Sequence, residues 1–335
     1  MWYVEPLGEA RTPLAVFFSI LLGSSGQAFL RIIAGGIFCM LAASCTTPDT
    51  LPLWFDAVEH YPVNSVTVNG QRIAYLDRGA GPAVVLIHGF GGSMWQWEHQ
   101  QAALAQHFQV ITPDLPGSGL SDKPDIAYTP EEMLQFLVGF LDALRIPQAS
   151  LAGNSMGAGL AIGMALDHPD RVSKLVLISG LPPQVMEHLT NPSIKRALTT
   201  STPSWLVSFG NWLFGGLMID KILKEIVYDH TLLTPAVLER SNRNRQRPGL
   251  IKPLMTVGDN LPAWETRYAP RIKTIPHPTL ILWGEEDRVF PIKAGKLLHD
   301  LILKSTFAGI PRAGHIPQWE QPELVNAQLR SFLQP

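Results

Sequence analysis

The residues with the clearest chemical potential lie at positions 153–157, where the sequence Gly-Asn-Ser-Met-Gly forms a G-x-S-x-G motif. A short apolar run at 149–152 precedes the motif and predicts a buried strand, and an apolar run of helical length follows at 158–168. A strand, a tight turn and a helix with serine at the apex make a nucleophile elbow. The pattern therefore predicts that Ser155 is a catalytic nucleophile, exposed at the N-terminus of a helix.

A serine nucleophile needs a base, because its hydroxyl is unreactive at neutral pH until its proton is removed. The chain has ten histidines, and His315 is the one in a suitable sequence context. It lies in the segment 313–317, after a predicted last short strand at 306–308. Its imidazole titrates near neutrality, so it can accept the serine proton and return it to a leaving group. We predict His315 as the general base.

Other apolar runs predict the elements that position these two side chains. The predicted strands alternate with helical segments, and polar, glycine-rich loops follow the strands. One helical segment is 130–144, for which Thr129 is the expected N-cap. An Asn69-Gly70 pair between two β-rich runs predicts a hairpin. Alternating strands and helices indicate a parallel sheet covered on both faces, with a crevice beyond the carboxyl ends of its strands. The further predicted strands are 83–87, 109–112, 172–179 and 279–283.

The charge and the cysteine positions exclude some classes of function and site. The chain has 335 residues and a formal net charge of -2, which indicates no nucleic-acid-binding surface. Its two cysteines, Cys39 and Cys45, both lie near the N-terminus, so the folded body that follows has neither a disulfide nor a cysteine-based metal site. The length allows one large domain or two.

Residues 1–45 are predicted to be a signal peptide or membrane anchor. Apolar runs at 13–22 and 32–41 each follow an arginine, and Leu-Ala-Ala-Ser-Cys, ending at Cys45, resembles a bacterial lipoprotein signal. An uncleaved anchor and an interfacial helix are the alternatives. Residues 46–62 are predicted to be a linker. We therefore expect an exported protein that associates with a membrane through its N-terminus.

Together, the motifs resemble those of the α/β-hydrolase fold family, in that family's order. The resemblance implies a mostly parallel central sheet flanked by helices, with the core at 63–180 and 271–335. It also implies an inserted helical cap at 181–270. The matching segments are 88–92 (His-Gly-Phe-Gly-Gly), 114–119 (Asp-Leu-Pro-Gly-Ser-Gly), 153–157, 284–287 (Gly-Glu-Glu-Asp) and 314–315 (Gly-His).

The family's pattern also implies roles for single residues. Asp287 fits the acid that orients the imidazole of His315, with Glu286 and Glu285 as competitors one and two residues earlier. The backbone N–H groups of Phe90 and Met156 are the implied oxyanion hole. In this mechanism no metal or organic cofactor is needed.

Two neighbouring residues, His88 and Asp114, are expected to shape and brace their loops rather than to act in chemistry. In the predicted cap, a basic cluster is expected to form a solvated face. Apolar residues recur at helical spacing there, and we expect them to pack on the core and to cover an acyl or aromatic pocket. The basic residues are Arg240, Arg243, Arg245 and Arg247, and the apolar ones are Trp205, Leu206, Phe209, Trp212, Leu213, Phe214, Leu217 and Met218.

Acyl transfer from a small-molecule ester or acyl substrate to water is the reaction that this set of residues favours. Carboxylic-ester hydrolysis, by an esterase or lipase-like enzyme, is the first hypothesis. The alternative is a carbon–carbon bond hydrolase of ring-cleavage products, because such enzymes carry a similar Gly-Asn-Ser-Met-Gly sequence. A non-catalytic binding protein on the same fold is a third hypothesis. None of the three implies an obligate protein partner.

Overall fold

An eight-stranded sheet forms the centre of the fold. The computed structural model describes residues 63–199 and 202–334, so the predicted N-terminal signal, anchor and linker lie outside the described residues. The strands, in chain order, are β1 (Asn64–Val68), β2 (Gln71–Arg78), β3 (Ala83–Ile87), β4 (Gln109–Pro113), β5 (Ala149–Asn154), β6 (Val172–Ile178), β7 (Thr279–Gly284) and β8 (Ser305–Ile310). Across the sheet their order is β1-β2-β4-β3-β5-β6-β7-β8.

The sheet is parallel except at one edge. β1 pairs with β2 and β2 pairs with β4 in antiparallel fashion, whereas every other pairing is parallel. The predicted hairpin joins β1 to β2, and its turn residues Asn69 and Gly70 have φ of 50° and 81°. Positive φ at both central positions is what a two-residue hairpin turn of this kind requires. The sequence prediction of a mostly parallel sheet is confirmed.

Twelve helices flank and extend this sheet within the described residues. They are α1 (Glu98–Leu104), α2 (Pro130–Ala143), α3 (Met156–Asp167), α4 (Val185–His188), α5 (Pro192–Thr199), α6 (Ser204–Ile226), α7 (Pro235–Arg245), α8 (Ile251–Asp259), α9 (Leu261–Tyr268), α10 (Ile292–Leu301), α11 (Pro317–Glu320) and α12 (Pro322–Leu333). Thr129 caps α2 as predicted, and it forms a capping box with Glu132.

Both faces of the sheet are buried. Along β3, Val85 and Ile87 belong to the core that α2, α3 and α10 cover, and Val84 and Leu86 belong to the core that α1 and α12 cover. Because side chains alternate between the faces of a strand, a strand buried on both faces must be apolar at every position. This explains why the strand signals in the sequence are unbroken apolar runs.

Helices α4 to α9 form an insert between β6 and β7. The longest of them, α6, is the only helix among the described residues that is long and apolar enough to cross a membrane. Its apolar residues occur at the predicted helical spacing, but the expectation that they pack on the core is wrong for many of them. Exposed fractions are 67% for Trp205, 51% for Phe209, 65% for Trp212, 45% for Leu213 and 72% for Leu217.

A buried ion pair fastens the insert to the core. Arg240, on α7, donates from both guanidinium ends to Glu98, the first residue of α1, at 2.6 and 2.8 Å. Trp319 Nε1 donates to the same carboxylate at 2.7 Å, and Arg240 stacks over the Trp95 ring at 4.8 Å. The expected solvated face is therefore wrong for Arg240, which is buried.

The carboxylate of this pair has a shifted pKa. Burial raises the pKa of Glu98, but the hydrogen bonds and charge of Arg240 and the bond from Trp319 outweigh burial. The pKa of Glu98 therefore lies below its ordinary value. A carboxylate with a depressed pKa stabilises the fold above its unfolded-state pKa and loses that contribution as the pH falls.

Candidate active site

Ser155 lies at the apex of a strained turn between β5 and α3. Its φ of 52° and ψ of -116° are unusual for a residue with a side chain. A Cβ added at Gly153 would collide with the backbone of Gly157, and one added at Gly157 would collide with the carbonyl of Ile87. Both motif glycines are therefore needed for β5, α3 and β3 to approach each other this closely. The predicted strand–turn–helix context is confirmed.

His315 and Asp287 contact each other at the carboxyl ends of β7 and β8. His315 Nδ1 lies 2.9 Å from Asp287 Oδ2, and the Asp287 side chain is 0% exposed. The other carboxylate oxygen accepts from the backbone N–H groups of Val289 and Phe290 at 2.7 and 3.0 Å. With both oxygens fixed, the carboxylate can hold the imidazole with Nε2 turned away from Asp287.

The two competing carboxylates, Glu285 and Glu286, lie in other environments. Glu286 accepts from the backbone N–H of Ala313 at 3.0 Å, so it braces the loop that carries His315 without touching the imidazole. Glu285 is exposed. Of the three consecutive acids, Asp287 is the one whose side chain contacts His315.

His88 shapes the loop after β3. Its Nε2 accepts from the backbone N–H of Leu115 at 3.0 Å, so the ring proton must be on Nδ1, which lies 2.8 Å from the carbonyl oxygen of Gly89. Burial lowers the pKa of His88, although the charge of Asp114 and the bond to Gly89 oppose that effect. A neutral His88 with this tautomer is a structural brace, as predicted.

The backbone of Phe90 is oriented by its neighbours. The carbonyl of Gly89 receives bonds from His88 Nδ1 and from the N–H of Gly92 at 3.1 Å. In a trans peptide the N–H points opposite to the carbonyl, so the N–H of Phe90 points away from these donors. Neither this N–H nor that of Met156, the first residue of α3, has a hydrogen-bond partner among the described residues. Both groups are thus free to bind an anion.

Asp114 holds the neighbouring loop. Its two carboxylate oxygens accept from the backbone N–H groups of Met94 and Leu120, each at 2.7 Å. A Cβ added at Gly119 would collide with this carboxylate, so the glycine leaves room for it. The predicted bracing role of Asp114 is confirmed.

Asn154 joins the turn that carries Ser155 to the loop that carries His315. Its Nδ2 donates to the carbonyl of His315 at 3.0 Å and to that of Ile178 at 3.2 Å. Among the described residues, no hydrogen bond joins the side chains of Ser155 and His315. Hydrogen bonds between catalytic groups are often long without substrate and tighten when a substrate binds. The bond from Asn154 holds the elbow and the histidine loop together, a role that the sequence analysis missed although the residue lies inside the motif.

Glu320 is a second residue that the sequence analysis missed. This buried side chain accepts from the N–H groups of Gly314 at 2.8 Å and Tyr228 at 2.7 Å. Burial raises the pKa of Glu320 to about 7, even though these backbone donors favour the ionised form. Glu320 thereby joins the histidine loop to the chain after α6, where His315 N also donates to the carbonyl of Ile226 at 2.8 Å.

Apolar groups of the insert lie close to the loop that follows β3. A Cβ added at Gly91 would meet Leu254 of α8 at 3.7 Å, and one added at Gly258 would meet Phe90 at 3.8 Å. Phe290 lies against the His315 ring, with 5.8 Å between ring centroids.

Within residues 63–199 and 202–334, no three His, Cys, Asp or Glu side chains are grouped so that they could hold a metal ion.

The family model for the α/β hydrolase fold matches residues 82–322. Among curated proteins, the chain is 29% identical to the 2-hydroxy-6-oxo-6-phenylhexa-2,4-dienoate hydrolase of Burkholderia cepacia, over 81% of this chain and 94% of that protein. It is 32% identical to the 2-hydroxy-6-oxo-6-(2'-aminophenyl)hexa-2,4-dienoic acid hydrolase of Metapseudomonas resinovorans, over 82% of this chain and 91% of that protein.

Solved structures give similar matches. The meta-cleavage product hydrolase from Pseudomonas fluorescens IP01 superposes with a TM-score of 0.68 at 28% identity, over 81% of this chain and 97% of that one. A thermophilic esterase from Thermogutta terrifontis gives 0.64 at 26%, over 81% and 98%. A bacterial membrane phospholipase A gives 0.67 at 25%, over 91% and 95%.

Proposed function

Because the chain belongs to the α/β-hydrolase fold family, we propose that it is a serine hydrolase that cleaves a carbon–carbon bond in ring-cleavage products. The observation that supports this most is the similarity to curated hydrolases of 2-hydroxy-6-oxo-dienoates over about four fifths of the chain. These relatives favour the carbon–carbon alternative of the sequence analysis over ester cleavage, which was its first hypothesis.

In the proposed mechanism, His315 takes the proton of Ser155, and the serine oxygen attacks the ketone carbon of the substrate. Asp287 keeps the imidazole oriented and stabilises its positive charge. The backbone N–H groups of Phe90 and Met156 stabilise the oxyanion that forms. Removing one such donor typically costs roughly 10²- to 10³-fold in rate.

Collapse of the tetrahedral intermediate breaks the bond between the ketone carbon and its neighbour. For this step the dienol must have tautomerised before attack: its 2-hydroxyl proton is lost and C5 gains a proton, which gives a C2 ketone conjugated to the C3=C4 double bond. On cleavage the bonding electron pair passes from C5 through that double bond to the C2 oxygen, and the leaving enol fragment takes up the proton held by His315. An acyl group stays on Ser155. His315 then deprotonates water, which releases the acyl group as a carboxylic acid, so that the whole reaction consumes one water molecule.

Ester hydrolysis is the second candidate. It uses the same serine, imidazole and oxyanion donors, with an alcohol in place of the enol fragment. The observation that favours it is the likeness to a thermophilic esterase and a membrane phospholipase A, at 26% and 25% identity. The oxyanion-loop sequence His-Gly-Phe-Gly-Gly-Ser, at 88–93, also resembles that of lipases and esterases more than that of carbon–carbon hydrolases.

A two-substrate assay separates the candidates. The purified chain is given 2-hydroxy-6-oxo-6-phenylhexa-2,4-dienoate, whose visible absorption is lost on cleavage, and p-nitrophenyl butyrate. We expect a higher kcat/KM on the dienoate, and a loss of at least about 10⁴-fold on it for Ser155→Ala. Ser331→Ala, a change at an exposed serine in α12, is the matched control. Turnover of the ester alone would contradict the proposal and favour an esterase.

We also propose, from the sequence alone, that the chain is exported and held at a membrane by its N-terminus, with Cys45 as the lipidated residue. The apolar runs at 13–22 and 32–41 and the Leu-Ala-Ala-Ser-Cys segment support this proposal. Mass spectrometry of the mature protein tests it. An intact N-terminus with an unmodified Cys45 would exclude the lipoprotein form.

A further inference from the structure

The exposed apolar face of α6 is without an assigned role in the proposed chemistry. We propose that this face, defined by Trp205, Phe209, Trp212, Leu213 and Leu217, docks into the interface of an anionic lipid bilayer. The five residues are spaced three and four positions apart, so they lie on one side of the helix. The proposal does not depend on which bond the enzyme cleaves.

The size and composition of this face distinguish it from ordinary surface. Single exposed apolar residues are common on soluble proteins, whereas contiguous patches mark interaction sites. Here the exposed fraction is 67% for Trp205, 65% for Trp212 and 72% for Leu217, and the rings of Phe209 and Trp212 lie 6.0 Å apart. Tryptophan is the side chain most typical of the boundary between headgroups and acyl chains, because its ring is apolar and its N–H is polar.

The helix is placed to lie along a membrane and not to cross it. Leu206, Gly210, Gly215 and Leu223 are buried, so the other side of α6 packs on the protein. In addition, the last turns of α6 contain Asp220, Lys221, Lys224 and Glu225, which pair with one another at four-residue spacing. A helix with one apolar side, one packed side and a charged end fits the interface plane.

The charge of the insert selects the lipid. Residues 185–268 contain ten Lys or Arg and seven Asp or Glu, a formal net charge of +3, although the whole chain has a net charge of -2. Near α6, Lys195 and Arg196 lie exposed on α5, which is hydrogen-bonded to α6 through Ser193 and Glu225 at 2.9 Å. A positive insert on an acidic protein is complementary to a bilayer with anionic headgroups.

Docking through this face also places the site near the lipid. The last residue of α6, Ile226, accepts the backbone N–H of His315 at 2.8 Å. A helix that lies in the interface would therefore hold the histidine loop within a helix length of the bilayer surface.

A local depth measurement tests the proposal on the full-length chain, because overall binding would also report the predicted N-terminal anchor. Cys39→Ser and Cys45→Ser remove the native thiols and, with Cys45, the proposed lipidation site. An NBD fluorophore is attached at Ser208→Cys, an exposed position on α6. A second protein carries the fluorophore at Leu303→Cys, where the side chain is 87% exposed between α10 and β8. Vesicles contain phosphatidylglycerol and phosphatidylcholine, with or without nitroxide-labelled lipid.

We expect the nitroxide lipid to quench the probe at 208 at least about twofold more than the probe at 303, with less quenching in pure phosphatidylcholine or at high salt. A triple variant should weaken the vesicle-dependent signal at 208 about tenfold or more; it combines Trp205→Gln, Trp212→Gln and Leu217→Gln. The control pair Leu303→Gln with Leu324→Gln, exposed apolar side chains outside the insert, should leave it unchanged.

Equal quenching at the two probe positions would overturn the proposal. A fluorescence signal at 208 that arises without vesicles and rises with protein concentration, with a doubled mass in sedimentation, would also overturn it. The face would then be an interface between two copies of the chain. Circular dichroism of each variant checks that its fold is intact, and turnover of a soluble substrate provides a second check.

Discussion

The loops at the carboxyl ends of the strands and the helices inserted between β6 and β7 use their polar groups differently. In the loops, buried side chains such as His88, Asp114 and Asp287 bind backbone N–H and carbonyl groups, which fixes the position of each loop. The insert is attached at separate points, such as the Arg240–Glu98 pair, and it exposes apolar surface. The first arrangement fixes the backbone of the loops that carry the candidate site residues, and the second holds the inserted helices through individual side-chain contacts.

This comparison predicts that changes in the loops lower the rate more than the stability. The largest effect is expected for Asp287→Asn, which keeps the size of the side chain but removes its charge. The imidazole would lose its oriented tautomer, and kcat should fall by roughly 10³- to 10⁴-fold. Steady-state kinetics on the dienoate or ester measures this, with the exposed Glu285→Gln as the matched control. A variant that kept a tenth of the activity would contradict the orienting role of Asp287.

Changes at the attachment of the insert should lower stability instead. Arg240→Ala leaves Glu98 buried without its ion-pair partner, so the free energy of unfolding should fall by about 3–5 kcal/mol. Urea denaturation measures the loss. The control is Arg243→Ala, which removes an exposed pair with Glu239 at side-chain exposures of 48% and 52% and should cost less than about 1 kcal/mol. Equal losses in the two variants would show that the buried pair does not hold the insert.

Glu320 lies on α11 and binds the N–H groups of Gly314 in the histidine loop and Tyr228 in the insert, so its ionisation should make the connection between these regions depend on pH. Its pKa is raised to about 7 in the folded protein, above the unfolded-state value near 4.5, so the folded state favours the protonated form. The free energy of unfolding should therefore fall, by up to about 3 kcal/mol, as the pH rises from 5 to 8. Glu320→Gln should remove this slope. Denaturation curves across that pH range test it, and parallel slopes would contradict the raised pKa.

The smallest effect is expected at the link inside the site. Asn154→Ala removes the bond to the carbonyl of His315 but leaves Ser155, His315 and Asp287 unchanged. We expect kcat to fall roughly tenfold through looser positioning of the imidazole relative to the serine. Asn154→Asp, which removes the N–H donor but preserves the side-chain shape, should have a similar effect. An unchanged kcat in both variants would show that the histidine loop is positioned without this bond.

Much of the fold could be predicted from the sequence because its signals are local. Strands buried on both faces read as unbroken apolar runs, Thr129 marks the start of α2, and glycines mark turns that no larger residue could occupy. The carboxylate that contacts His315 was also predicted, although Glu285 and Glu286 stood beside it. For the strands and the start of α2, the residues that decide the structure lie within a few positions of each other, whereas Asp287 was predicted from the family's motif at 284–287.

The rest depends on contacts between residues far apart in the chain. The partner of Arg240 lies 142 positions away, and the groups that Glu320 binds include Tyr228, 92 positions away. Helical spacing predicted α6 but not which of its sides would be covered, because that depends on the neighbouring helices. Nor could the bond to be cleaved be chosen, since ester and carbon–carbon hydrolysis use the same serine, imidazole and oxyanion donors.

The antiparallel edge of the sheet offers a practical use. β1 begins at Asn64 and is separated from β5, the strand that leads to Ser155, by four strand-to-strand steps, or about 19 Å. A coupling tag that replaced residues 1–62 would join the protein at this remote edge. Biocatalyst beads or electrode coatings prepared in this way should leave the reaction crevice open to the surrounding medium.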